Sequence, residues 1–277
     1  MSARSMAEPP LRSVGGALSV FQQAMLRYRR YWKSTVVVSL LTPLFYLLAL
    51  GVGLGTLVDS RGGAQSLGVS YLAYVAPAMI AVTGMQIGAS EATFPILGGF
   101  QWDKVFYAMH ATPLTPVQLV RGLIAFVAAR VASACVVFYL IVTAFGAALT
   151  WQSVAVIPLA TYGALAICVP IMVLSTVVEK DGAFNFIFRF LIVPMMLFSG
   201  TFYPIAELPQ WGQVIAWVTP LWHTNELVRW AALGPLPDTS VADLSATMIG
   251  VHLGYLTALI IAGYLLLRRG FARRLIT

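Results

Sequence analysis

The chain has 277 residues, of which 59% are hydrophobic and only 10% charged. Soluble domains carry about 25% charged residues, so this composition excludes an ordinary soluble enzyme or binding module and fits a helical membrane protein. The net charge of +7 does not indicate nucleic-acid binding, because the basic residues flank apolar runs and no soluble basic domain accompanies them.

Residues 1–34 lack a central apolar stretch, so no cleavable signal peptide is expected. Within "GGALSVFQQAMLRYRRYWKS" (15–34), Leu18, Phe21, Met25, Tyr28 and Trp32 recur at helical steps, while Gln22, Arg29, Arg30 and Lys33 fill the other face. That spacing predicts an amphipathic helix lying in the membrane interface. A basic flank on a structureless tail is the alternative.

Uncharged runs then mark the spans. They predict span one at 35–57, span two at 70–92, span three at 117–148, span four at 154–178, span five from Ala183 to Ser199, and span six between Asp243 and Arg268. The break between spans three and four follows from length. Residues 131–178 are uncharged throughout, and about 72 Å of helix is far too long for one crossing of a core about 30 Å thick. "TWQS" (150–153) is the expected turn. Six spans are thus expected in a domain at 35–267, after an N-terminal region at 1–34 and before a basic tail at 268–277. Twelve Lys and Arg fall on one side of this topology and two on the other, which predicts cytoplasmic termini.

Between spans two and three lies "GGFQWDKVFYAMHATPLTP" (98–116). Phe100, Val105, Phe106 and Met109 would form one face of a short helix, and that face has no obvious partner within the chain. Pro113 stops the helix. Thr115 caps the next one, with Pro116 at its first position. A groove on another protein would bury the apolar face. A connecting loop packed on its own bundle is the alternative.

Ionisable residues inside spans mark either a polar pathway or structural pairs. Asp181, Asn185 and Arg189 repeat every four residues and share one face of span five, and Arg130 lies nine residues deeper than Arg121. The residues Arg130, Asn185 and Arg189 are candidates for a substrate path. Pairing of Glu91 with Arg121 or Arg130 is the structural alternative.

Span five is followed by "FSGTFYPIAELPQWGQVIAWVTP" (198–220), apolar yet broken by three prolines. Pro209 can start a helix that Pro220 stops, and Pro220 can start another that Gly234-Pro235 stops. Both are too short to cross a bilayer. They are expected as half-length helices dipping into the outer leaflet, with Phe202, Tyr203, Glu207, Trp211, Trp217 and Trp222 rimming the outer mouth. An aromatic belt anchor is the alternative.

There is no G-x-x-x-x-G-K-[ST], and each of the three lysines follows Trp, Asp or Glu. The histidines His110, His223 and His252 stand alone in the sequence and are not expected to ligate metal. Cys135 and Cys168 lie in apolar runs and read as buried reduced thiols. "GASE" (88–91) lacks the second glycine of a serine-nucleophile turn.

"ATPLTP" (111–116) after a short helix, and "FSGTFYPIAELPQW" followed by "WVTPLWHTNELVR", resemble the membrane subunit of ABC-2 type ATP-binding-cassette exporters. The second stretch most resembles the branch holding nodulation-factor lipo-oligosaccharide export permeases and daunorubicin-type drug exporters. This resemblance implies an all-α permease of six transmembrane helices, with an N-terminal interfacial helix, a cytoplasmic coupling helix and outer re-entrant helices. It implies two separate cytoplasmic ATPase subunits, with Phe100, Trp102, Asp103, Lys104, Val105, Phe106 and Met109 making the coupling contact. ATP and Mg would be bound by that partner, and no cofactor by this chain. A second permease copy, meeting the first along spans two and five, would complete the conduit in a bacterial cytoplasmic membrane. The cargo implied is an amphiphile of glycolipid, lipo-oligosaccharide or polysaccharide-lipid type, moved outward. Drug efflux is the alternative within the family, and a lipid-modifying membrane enzyme the alternative outside it.

Overall fold

The computed structural model describes residues 13–30, 32–33, 41, 44–45, 47–62, 67–145, 151–180, 182–234 and 244–276. Among these residues every regular element is a helix. Four helical stretches among the described residues are long and apolar enough to cross a membrane: Tyr71–Gln101, Pro116–Ala144, Gln152–Val177 and Ala246–Leu275. A shorter apolar stretch runs over Gly182–Phe198. The chain is therefore an all-α membrane protein.

Helix α1 covers Ser13–Tyr28. Residues 35–40, 42, 43 and 46 of the predicted first span, 35–57, lie outside the described residues. Its last part, Leu47–Leu54, forms wide π-type turns that lead into α2, Gly55–Ser60. Then α3 spans Tyr71–Ala92, and its first turn is held by two acceptors. The Ser70 side chain accepts from the Ala73 amide, and Asp59 accepts from the Tyr71 amide at 3.0 Å. Thr93 breaks the backbone, and α4 continues over Phe94–Gln101 with Pro95 in its first turn.

A six-residue helix, α5, follows at Val105–His110. Thr115 and Gln118 form a full capping box for α6, Pro116–Ala144, with Pro116 in its first turn. The expected turn at 150–153 is a 3-10 segment, Trp151–Ala155, that leads into α7, Val156–Val177. Two short helices follow, α8 (Gly182–Ile187) and α9 (Val193–Phe198), joined by a π-type turn over Phe188–Ile192. Beyond them lie α10 (Gln210–Val218), α11 (Pro220–Leu233) and α12 (Ala246–Ile276).

Helix α7 is the centre of the bundle and packs against α3, α6, α11 and α12. Small residues bring the backbones together. Gly84 and Gly88 lie one turn apart on α3. A Cβ on Gly84 would sit 3.1 Å from the Cys135 sulfur, and one on Gly88 would sit 2.1 Å from the Cys168 sulfur. Both thiols are buried and unbridged. In lipid, helices gain little from apolar burial, so close backbone approach at such glycines supplies much of the packing energy.

On the predicted N-terminal stripe, Leu18 and Trp32 are exposed while Phe21, Met25 and Tyr28 are half-buried. Val20 is buried, and α1 runs parallel to the first half of α6. Gly16 meets Gln118, Val20 meets Gly122, and Tyr28 meets Arg130. Gly122 permits this, because a Cβ there would lie 2.6 Å from the Ala17 carbonyl. Through the segment predicted as a basic tail, 268–277, α12 continues to Ile276, and Phe271 is fully buried.

Candidate functional site

Two of the three groups of residues singled out by the sequence fall at opposite ends of the stretch Tyr71–Gln101. One end carries the segment 199–234, fastened to Tyr71 and Tyr74. The other carries the loop around Asp103, fastened to α1 and α12.

At the loop end, α4 stops at Gln101 and the chain reverses through Trp102, Asp103 and Lys104. Lys104 adopts the left-handed conformation (φ 51°), an uncommon one for a side chain other than glycine. All three residues are exposed. The reversal folds α5 back on α4. The Phe100 and Phe106 rings meet at 4.8 Å between centroids, and Phe271 of α12 closes the cluster at 4.9 Å and 5.3 Å from them. Gly99 makes room, since a Cβ there would lie 2.3 Å from the Phe106 ring. Arg274 covers the Phe100 ring at 4.6 Å, and the Tyr107 hydroxyl donates to the Arg274 carbonyl at 3.2 Å. Arg27 of α1 grips Asp103 at 2.6 Å.

The apolar face of this short helix therefore has its partner inside the chain. Phe100 and Phe106 are buried, while Val105 and Met109 are half-buried. Of the seven predicted coupling residues, only Trp102, Asp103 and Lys104 stand clear, with Trp102 61% exposed. Sequence reading missed Phe271 because it lies more than 160 positions away in a stretch that reads as a basic tail.

The three candidate path residues do not converge. Asn185 and Arg189 are exposed and share a shallow depression with Phe186, Phe190 and Val193. Asp181, predicted on the same stripe, lies outside the described residues. Arg130 is elsewhere, 3% exposed, between α1, α3 and α6. Its Nε donates to Glu91 at 3.1 Å and its Nη1 to the Tyr28 hydroxyl at 2.7 Å, with the Tyr28 ring 3.9 Å from the guanidinium carbon. This is the structural pairing of Glu91. Arg121 instead donates to the Tyr264 hydroxyl at 3.1 Å.

At the opposite end, α10 and α11 differ in their surroundings. Trp211 and Trp217 on α10 are exposed, whereas α11 is enclosed by α3, α7 and α12. The enclosure is tight: a Cβ on Gly163 of α7 would lie 2.0 Å from the Thr224 hydroxyl. Of the two half-length helices expected here, α10 lies at the surface and α11 is packed within the bundle. Proline and glycine still set the bounds, with Pro220 in the first turn of α11 and Gly234 ending it at φ 68°.

The polar face of α11 fastens the chain reversal at Ser199–Phe202. Asn225 Nδ2 donates to the Ser199 carbonyl at 2.9 Å and the Thr201 hydroxyl at 3.1 Å. Arg229, 1% exposed, donates to the carbonyls of Tyr74, Gly200 and Thr201 and pairs with Glu226 at 3.4 Å. Tyr74 and Tyr71 donate to the Gly200 and Phe202 carbonyls, each at 3.0 Å. Phe202 and Tyr203 are half-buried beside this knot, and Glu207 is exposed. Backbone that leaves the helical pattern inside a membrane bundle needs such substitutes for its lost hydrogen bonds.

His223 and His252 do not stand alone. Their Nδ1 atoms face each other at 2.7 Å, and His223 Nε2 lies 3.0 Å from the Trp217 carbonyl. A carbonyl only accepts, so His223 carries its proton on Nε2 and His252 donates from Nδ1. Burial lowers the His223 pKa below the usual histidine range, and the Trp217 carbonyl opposes that shift. Trp222 packs against both rings. Among the described residues, no group of three or more His, Cys, Asp or Glu is placed to hold a metal ion.

The ABC-2 type transporter family model matches residues 17–233. Nodulation protein J of Rhizobium leguminosarum bv. viciae is 28% identical over 258 residues, covering 93% of this chain and 94% of that protein. Nodulation protein J of Neorhizobium galegae is 29% identical over 246 residues, covering 88% of each. The protein of the same name from Rhizobium leguminosarum bv. trifolii is 30% identical over 212 residues, covering 75% of this chain and 79% of that protein. A match that runs from α1 through the buried α11, over a bundle with this loop and this knotted reversal, makes the chain a member of the ABC-2 type transporter family.

Proposed function

We propose that this chain is the permease subunit of an ATP-driven exporter that moves an amphiphile of lipo-oligosaccharide or glycolipid type outward. The likeness to Nodulation protein J supports that cargo class. The sequence has no phosphate-cradling lysine loop, so the energy comes from a separate ATPase. Six spans, formed by the four long helices, the 35–57 run and Gly182–Phe198, cross a bacterial cytoplasmic membrane with both termini inside. A second copy completes the conduit along the exposed apolar face that carries Phe186 and Phe190.

One observation carries the motor contact. Trp102, Asp103 and Lys104 are exposed on a loop tied at once to α1 through Arg27 and to α12 through Phe271. A push on that loop reaches α1 and α12 without passing through a soft linker. Trp102 supplies flat apolar area to the partner, and Asp103 and Lys104 supply charge.

The test is reconstitution of the chain with its ATPase in vesicles holding a labelled lipo-oligosaccharide. ATP-dependent movement of that lipid to the leaflet opposite the ATPase is expected. Movement of a hydrophobic cationic drug alone would assign drug efflux instead. Movement of neither, in a complex that hydrolyses ATP, would refute export of both classes.

A further inference from the structure

A cleft of about 470 Å³ opens between α1, α3 and α6, well within the size of known small-molecule sites, about 300–1,000 Å³. Its wall is mostly apolar and includes Leu26, Trp32, Ile87, Ala134 and Val137. Leu26 is 65% exposed, so the cleft is open along its side. Two arginines belong to it. Arg29 is exposed, and Arg130 is buried in the wall.

Arg130 has an unanswered donor. Nε and Nη1 are taken by Glu91 and Tyr28, but Nη2 is buried without a hydrogen-bond partner. A buried guanidinium nitrogen left unpaired is costly, and a charged acceptor is its strongest remedy. The site is also close to the polar end of the bundle. Tyr28 covers Arg130, and the preceding residue, Arg27, makes the exposed bridge to Asp103.

We propose that this cleft binds one anionic phospholipid of the bilayer, with its phosphate on Arg29 and Arg130 and an acyl chain along the apolar wall. Glu91 already balances Arg130, which leaves Arg29 as the net charge at the mouth. A lipid phosphate with no compensating ammonium matches that single positive charge, whereas a choline headgroup would bring its own cation against it. Trp32 suits the boundary between headgroup and chain. The bound lipid would hold α1 against α6 at the level of the loop that carries Asp103. The proposal holds whatever the cargo is.

Native mass spectrometry of the full chain in detergent, titrated with phosphatidylglycerol or phosphatidylcholine of matched chains, reads the site directly. One phosphatidylglycerol is expected to be held about tenfold more tightly than phosphatidylcholine, the change one charge-assisted hydrogen bond makes. Val137→Trp fills the cleft and Arg29→Glu reverses its mouth, and each should remove that preference. Leu266→Trp, on an exposed apolar position of α12, should keep it. Equal retention of the two lipids by the wild type, or undiminished retention in Val137→Trp, overturns the proposal. A photoreactive residue placed at Leu26 in the otherwise unaltered chain gives a second reading if those variants do not fold. In vesicles it should form an adduct with phosphatidylglycerol that excess phosphatidylcholine does not suppress. Adducts no stronger than those from position Leu266 count against the site.

Discussion

The Arg229 guanidinium lies 3.9 Å from the centre of the Tyr74 ring, and both side chains donate to the same Gly200 carbonyl. One buried cation on α11 and one phenol on α3 thus fix a backbone reversal that no helix could satisfy. Arg229→Ala should remove the partner of Glu226 and one donor from each of the Tyr74, Gly200 and Thr201 carbonyls. Removing one member of a buried charged network costs about 3–5 kcal/mol. Tyr74→Phe removes a single hydrogen bond and should cost about 1 kcal/mol. Thermal unfolding of the detergent-solubilised protein should rank them in that order. Equal melting temperatures would show that the reversal is held by packing alone.

The Glu91–Arg130 pair joins α3 to α6 and, through Tyr28, to α1. Glu91→Gln or Arg130→Gln alone should lower stability by about 3–5 kcal/mol, because each strands a buried charge. The double variant Glu91→Leu with Arg130→Met strands none and should recover most of that loss. Additive losses in the double-mutant cycle would mean that the two residues act independently.

The loop at Asp103 separates folding from coupling. Phe106→Asp places a carboxylate among Phe100 and Phe271, so it should reduce yield and melting temperature before any partner is added. Trp102→Ala and Lys104→Glu alter exposed residues and should leave melting within about 0.5 kcal/mol of wild type. They should nevertheless weaken co-purification of the ATPase. Retention of the ATPase by Trp102→Ala and Lys104→Glu together would move the motor contact elsewhere.

The histidine pair predicts a pH response. The folded protein holds His223 below its usual pKa, so the unfolded chain binds protons more readily. Stability is then fully present above the ordinary histidine value of about 6.5 and falls as pH drops below it. A protonated His223 would turn an N–H toward the N–H of His252. Melting temperature should therefore decline from about pH 6.5 downward, and His252→Phe should flatten that decline. A wild-type profile unchanged by His252→Phe would assign the acid sensitivity to other groups.

Much of the local structure was legible in the residues. Pro220, Gly234, Thr115 and Pro116 act through their own backbone chemistry, so helix bounds at 115–116, 220 and 234 need no knowledge of the fold. Uncharged runs longer than a bilayer likewise announced the long helices, and the break at 150–153 followed from length alone. The second end of an interaction was the part that sequence could not supply. Phe106 reads as a free apolar residue until α12 brings Phe271 to it. Arg130 reads either as a path residue or as a partner of Glu91, and the fold brings both Glu91 and Tyr28 to it. His223 and His252 are 29 positions apart and meet only because α11 is enclosed by the bundle.

Composition and periodicity by themselves determined that this is a helical membrane chain with interrupted helices after residue 199, because lipid demands long apolar helices and proline cannot continue one. Only the tertiary structure decided which interrupted helix lies outside and which is enclosed, and which charges pair. Those outcomes depend on glycine-permitted backbone approach at Gly84, Gly88, Gly122 and Gly163, where helices distant in sequence come close enough for a side chain to find its partner.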